Sequence, residues 1–351
     1  MISCFCCTST STTKLLSRRG VIAGAAVLAA TGLAAPTCAQ PKPHRIDVHH
    51  HIVPPTWLTA LKSANLDTPP IRDWTPQRSI EDMDQGGIST AITSPTAPQV
   101  SFLPQDAAVR VAHESNDYAK RLTIDHPDRF GMFAMLPMPH VDESLKAISY
   151  ALDVLKASGI GMMTSYGDKW LGHPDFTPVF DELNRRKATV YTHPTSANCC
   201  INLDPGLPDY VIEWGTDTTR TIANLIFSGA SQRYKDINFI FSHGGGVLTA
   251  LAERFEIQLL NIPPYKGKFT RATVDHELRR FYYDTAQVAN AVTIDALAKL
   301  VPTSQIVLGT DYPYRTAAEH VAGLAKAFHG PTLRAIERDN ALRILPNITT
   351  A

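Results

Sequence analysis

The chain has 351 residues, 44% of them hydrophobic, and its 33 basic side chains are balanced by 33 acidic ones. That composition excludes a disordered or fibrous polypeptide. A zero formal charge gives no footing for nucleic acid or an anionic membrane, and no internal repeat or heptad pattern interrupts the sequence.

Residues 1–39 read as an export leader rather than as part of the fold. Lys14 and the pair Arg18-Arg19 precede a run of small apolar residues from Val21 to Ala35, followed by Pro36-Thr37-Cys38-Ala39. This is a basic start, an apolar middle and a small residue at a cleavage point. The arginines in Ser17-Arg18-Arg19-Gly20-Val21 fit a twin-arginine signal. The apolar run is shorter than the ~20 residues a membrane span needs. The expectation is a processed periplasmic protein with no stable membrane insertion. Outside the leader only Cys199 and Cys200 remain, and adjacent cysteines form a strained bridge at best.

In residues 40–351, short β-rich runs alternate with amphipathic stretches. The strand candidates are 45–52, 90–95, 130–136, 159–165, 188–193, 238–243, 281–285 and 305–311. Helical patterns occupy 77–86, 105–126, 142–157, 175–187, 216–228, 246–260, 291–300 and 316–328. Several strands are nearly continuous apolar runs, as expected when helices cover the sheet. Eight such units predict a single-domain (β/α)₈ TIM barrel. Segment 53–76, rich in Pro, Trp and Thr, shows no clear element and is expected to be a lid or a subunit contact.

The polar residues gather at the strand ends. His49 and His51 end the first strand, His193 the fifth and His243 the sixth; Asp284 lies near the end of the seventh and Asp311 ends the eighth. In a (β/α)₈ barrel these ends share one rim. Side chains alternate along a strand, so His49 and His51 share a face and His50 points away. Three imidazoles and a carboxylate suit one divalent ion; zinc is expected, with manganese as the alternative. The fourth strand end, Gly159 to Ser165, has no lysine that could be carbamylated to bridge two ions, so a single metal is expected.

The runs Ile46-Asp47-Val48-His49-His50-His51, Val190-Tyr191-Thr192-His193-Pro194, Phe241-Ser242-His243-Gly244-Gly245-Gly246 and Gly309-Thr310-Asp311-Tyr312-Pro313 resemble the amidohydrolase superfamily. The likeness spans 44–351 and points to the branch typified by aminocarboxymuconate-semialdehyde decarboxylase. Met162 to Tyr166, Arg185 to Thr195 and Tyr283 to Gln287 are most similar to 6-methylsalicylate decarboxylases. The resemblance implies metal ligands at His49, His51, His193 and Asp311, and a catalytic His243. It also implies an arginine at the Arg254 position that reaches a neighbouring subunit's site, and hence a homodimer. A second family arginine precedes the second strand; Arg72 and Arg78 lie near it, and neither aligns.

The chemistry this favours is non-oxidative decarboxylation of a hydroxylated aromatic acid such as 6-methylsalicylate. Asp311 would donate a proton and His243 would orient or deprotonate the phenol, with no organic cofactor. Tyr166, Trp170, Trp57 and Trp74 are the candidates for holding the ring; Arg220 reads as structural. A metal-dependent hydrolase of a lactone, ester or amide is the alternative. A non-catalytic metal or ligand binder would leave His243 and its three glycines without a purpose.

Overall fold

The computed structural model describes residues 44–348 apart from 205 and 346, so the expected leader lies outside the described residues. Eight parallel strands follow one another in chain order: β1 (Arg45–His51), β2 (Ile88–Ser94), β3 (Phe130–Met135), β4 (Gly159–Met163), β5 (Thr189–His193), β6 (Asn238–Phe241), β7 (Tyr282–Asp284) and β8 (Ile306–Val307). The seam between the last strand and the first is joined by backbone bonds from Val48 N–H to Leu308 O (2.9 Å), Asp311 N–H to His49 O (2.8 Å) and His51 N–H to Tyr312 O (2.8 Å). The barrel expected from the alternating pattern is the fold.

Side-chain alternation divides the apolar residues into two cores. Ile46, Val48, Ile92, Phe133, Tyr191, Ile240, Tyr282 and Val307 fill the barrel, and Ala341, Ile344 and Leu345 from the C-terminal segment pack with them. Their strand neighbours, such as Ala91, Val190, Phe239, Phe241 and Tyr283, face the other way into a larger core shared with the helices. Burial of each large apolar side chain contributes about 1.5–3 kcal/mol, so both layers hold the strand ends in place.

The helices start where the sequence supplies caps. Thr75 accepts the N–H of Arg78 at the start of Pro76–Gly86, which ends on Gly87 at a left-handed φ of 67°. Thr270, Asn290 and Thr316 cap Arg271–Arg280, Ala291–Leu300 and Ala317–Ala327 in the same way. Segment 53–76 departs from expectation. It contains a helix, Pro55–Ser63, whose proline stands at the first position, where no N–H is needed. Trp57 on that helix is fully buried and donates to Gln99 O, and Trp74 is buried and donates to Ser79 Oγ. Both tryptophans are packing residues of the segment, not ring holders. Arg271–Arg280 and the helical turns from Gly330 to Leu342 also form where the sequence pattern gave no element. The strand expected over 159–165 stops at Met163, and Ser165–Tyr166 turns back against Lys169–Trp170 as a hairpin.

One irregularity matters for the site. Along β1, Asp47 pairs with Ala91 and His50 with Thr93, so the chain takes three steps on β1 for two on β2. This is a β-bulge, which re-aims the side chains beyond it.

Candidate metal centre

Without the bulge, His49 and His51 would share the face of Asp47, away from Ile46 and Val48. With it, Val48 and His49 both turn inward. The ring of His49 then lies 5.3 Å from that of Tyr191 on the barrel's inner wall and 5.3 Å from that of His193. His50 is left on the outer face beside Asp47, bonded through Nδ1 to Asp47 Oδ2 (3.1 Å) and through Nε2 to Ser79 Oγ (2.9 Å), with its ring stacked on Tyr312.

His49, His51, His193 and Asp311 are all buried, and each offers one ligand atom such that all four lie within 4.8 Å of one another. Second partners decide which imidazole nitrogen is free. His49 Nδ1 donates to Asp284 Oδ2 (2.8 Å), His51 Nδ1 to Ser94 O (3.2 Å) and His193 Nδ1 to Pro194 O (2.9 Å). A carboxylate or carbonyl only accepts, so each Nδ1 carries a proton and Nε2 is the nitrogen left to face a cation. His49 Nε2 and His51 Nε2 are 3.2 Å apart, and Asp311 Oδ1 faces them at 3.1 and 3.2 Å. Three converging Nε2 atoms and one carboxylate oxygen make a donor set that fits a divalent cation once His49 gives up its second proton.

The electrostatics agree. Burial by itself would lower the His49 imidazole, yet the Asp284 and Asp311 carboxylates outweigh it and push it up to about 10. Burial and the neighbouring imidazoles drive His193 well below its ordinary value, and burial lowers His51. Burial opposes the ionised form of Asp311, but His49, His243 and His51 hold its carboxyl well below the usual range.

His243 stands beside this cluster with its ring stacked on that of His49 at 5.1 Å. Its backbone is left-handed (φ 53°), as is that of Asp311 (φ 66°). Such conformations cost on the order of 1–3 kcal/mol each and persist where the surroundings over-determine them. Here Asp284 Oδ1 takes the His243 N–H at 2.9 Å. Gly246 closes the turn at φ 70°, where a Cβ would lie 1.9 Å from Gly215 O. His243 Nε2 has no hydrogen-bond partner and lies 3.4 Å from Asp311 Oδ2. Its unpartnered Nε2 thus faces the second oxygen of Asp311 from a partly buried ring.

The amidohydrolase profile matches residues 46–346. The chain belongs to the amidohydrolase family. Decarboxylase yanB of Aspergillus niger is 36% identical over 327 residues, covering 86% of this chain and 87% of the relative. The 6-methylsalicylic acid decarboxylase acuB of Aspergillus aculeatus is 33% identical, covering 88% of this chain and 97% of its own. A crystal structure of an amidohydrolase II superposes with a TM-score of 0.79 at 28% identity, over 86% of this chain and 100% of that one.

In this amidohydrolase a cavity of about 960 Å³ is lined by Ala97, Pro98, Phe102, Tyr166, Thr195 and Trp214 among others, and not by the four clustered residues or His243. Trp214 ties it to the metal centre, its ring edge-on to His193 at 5.6 Å. Tyr166 borders the cavity, but it is buried and its hydroxyl accepts the Met163 N–H. Trp170 donates to Asp217 Oδ1 (2.6 Å), lies under the Arg220 guanidinium and does not line the cavity. The sequence pattern had singled out neither Trp214, which lacks a strand-end position, nor Asp47, whose two oxygens tie His49 N–H and His50 Nδ1 to Thr310.

The arginines are elsewhere. Arg254 is exposed on the helix Leu248–Ile257. Arg72 pairs with Asp67, and Arg78 donates to Asp73 O. Among the described residues lining the cavity, the basic side chains are Lys169, paired with Asp175, and His173. Cys199 and Cys200 are free thiols side by side in the loop after β5.

Proposed function

We propose that the protein is a metal-dependent, non-oxidative decarboxylase of an ortho-hydroxylated benzoate such as 6-methylsalicylate. The observation that carries this reading is similarity over nearly the whole chain: relatives 32–36% identical are named decarboxylases, two of them for 6-methylsalicylic acid.

His49, His51, His193 and Asp311 hold the ion, and zinc suits three imidazole nitrogens and one carboxylate oxygen. When bound, a divalent cation supplies Lewis acidity to the oxygens of the acid and lowers the cost of charge moving off the ring. The chain's own residues handle the protons. His243 Nε2 takes the phenolic proton and passes it to the ionised Asp311 at Oδ2, 3.4 Å away, which delivers it to the ring carbon that carries the carboxylate. The carbon–carbon bond then breaks, CO2 leaves, and the electron pair returns to the ring. Trp214 and Phe102 give the cavity flat apolar walls against which an aromatic ring packs.

The acid's carboxylate needs a cation that this chain's cavity does not place beside the ligands. Arg254 of a second copy fills that need in a homodimer. Ile201, Leu203, Tyr210, Val211 and Ile212, exposed in the loop after β5, are apolar surface that such an association would cover. The leader, with its paired arginines, directs the protein to the periplasm.

The test is incubation of the purified protein with ortho-hydroxybenzoates, 6-methylsalicylate among them, and with simple lactones. CO2 and ring-opened acid are followed separately. Release of CO2 with formation of the matching phenol is expected; lactone opening with no CO2 would overturn the reading.

A further inference from the structure

The two oxygens of Asp311 do not do the same thing. Oδ1 faces the Nε2 atoms of His49 and His51, and is the metal-side oxygen. Oδ2 points away from them, to His243 Nε2 at 3.4 Å and to the side-chain amide of Gln287, whose Nε2 donates to it at 2.5 Å. Gln287 itself is exposed, so an amide reaches in from the surface to a carboxylate that is 2% exposed.

The backbone under Gln287 is held for this reach. The residue is left-handed at φ 59° without being glycine, a strained conformation that persists only where its surroundings enforce it. The enforcing partner is His320, which is 2% exposed. Its Nδ1 donates to Thr316 O (2.9 Å), which leaves Nε2 as an acceptor, and Nε2 takes the Gln287 N–H at 2.9 Å. On the preceding residue, Ala286 N–H bonds Asp284 Oδ1, the atom that also holds His243 N–H. Gln287 is thus seated on the same scaffold that seats the proposed base, and its side chain ends on the proposed acid.

We propose that Gln287 is a positioning residue. It holds the Asp311 carboxylate edge-on, so that Oδ1 alone serves the ion and Oδ2 stays turned toward His243 and the reacting carbon. A carboxylate with both oxygens free rotates toward the cation and takes both of them to it. One amide donor on Oδ2 prevents this without adding charge. The proposal rests on the reading of Asp311 as both ligand and proton-transfer group.

The test compares Gln287→Ala and His320→Ala with the wild type in Mn2+ affinity of the metal-free proteins, followed by electron paramagnetic resonance titration, and in kcat and KM at saturating Mn2+. Second partners of metal ligands are typically worth about 10–100-fold in affinity or activity. Gln287→Ala is expected to lower kcat by about that factor with KM within about threefold, and to tighten Mn2+ binding, because both Asp311 oxygens then turn to the ion. His320→Ala is expected to move the same quantities less, because it only loosens the seat. A lowered melting temperature with kcat, KM and Mn2+ affinity all unchanged would make Gln287 a structural residue and overturn the proposal. If the wild type turns over no hydroxybenzoate, the decarboxylase reading fails separately, and Gln287 is then judged on Mn2+ affinity alone: unchanged binding in Gln287→Ala overturns it.

Discussion

His49 Nδ1 donates to Asp284 Oδ2 at 2.8 Å with both side chains fully buried, and this bond decides which nitrogen of His49 faces the centre. Asp284→Asn offers an amide in place of an obligate acceptor. Its NH2 group, turned to His49, favours the tautomer with the proton on Nε2. Metal affinity measured by chelator competition is expected to fall by about 10–100-fold. Unchanged affinity would mean that the tautomer is set by something else.

Metal uptake should release a proton. His49 is raised from 6.5 to about 10 in the metal-free centre, so at neutral pH an incoming cation displaces a proton from it. Apparent affinity is therefore expected to drop about tenfold for each pH unit between about 8 and 6. The fold responds with the opposite sign. In the metal-free protein this raised value adds stability that is fully present below about 6.5 and is lost as pH rises through about 10. A flat affinity across that range would show that His49 carries no displaceable proton.

His243 has no hydrogen-bond partner for Nε2 and is not one of the four clustered ligands. His243→Ala is expected to keep its metal, by elemental analysis, while CO2 release falls by about 10²–10⁴-fold. Loss of the ion together with activity would move His243 into the ligand set.

The three neighbouring histidines separate by substitution. His49→Ala and His51→Ala are expected to lose the ion. His50→Ala is expected to keep it and to unfold at lower urea, because Asp47 Oδ2 loses one of its donors and Tyr312 its stacked ring. Leaving a buried polar group short of a partner costs about 1–3 kcal/mol. Metal loss in His50→Ala would contradict the bulged geometry of β1.

Much of this was legible in the chain. Short β-rich runs separated by amphipathic helices lead to a parallel barrel because a parallel strand needs a crossover, and the crossovers cover its outer face. That fold brings strand ends from His49 to Asp311 to one rim, so position gathers the candidates, His243 and Asp284 among them, and the family resemblance picks out His49, His51, His193 and Asp311. The helix Pro55–Ser63 was hidden because Pro54, Pro55 and Trp57 read as loop residues, and only burial of Trp57 against Gln99 reveals its role.

Tertiary contacts decided the rest. Alternation does separate His49 and His51 from His50, but regular alternation would also put Ile46 and Val48 on the opposite face from His49; the bulge opposite β2 brings all four inward. Each tautomer depends on an acceptor distant in sequence or set by backbone path: Asp284, Ser94 O and Pro194 O. The reach of Gln287 to Asp311 depends on a buried His320 from another helix. A side-chain pattern specifies which faces are apolar, whereas the aim of a polar atom is set by partners that only the closed barrel brings within bonding distance.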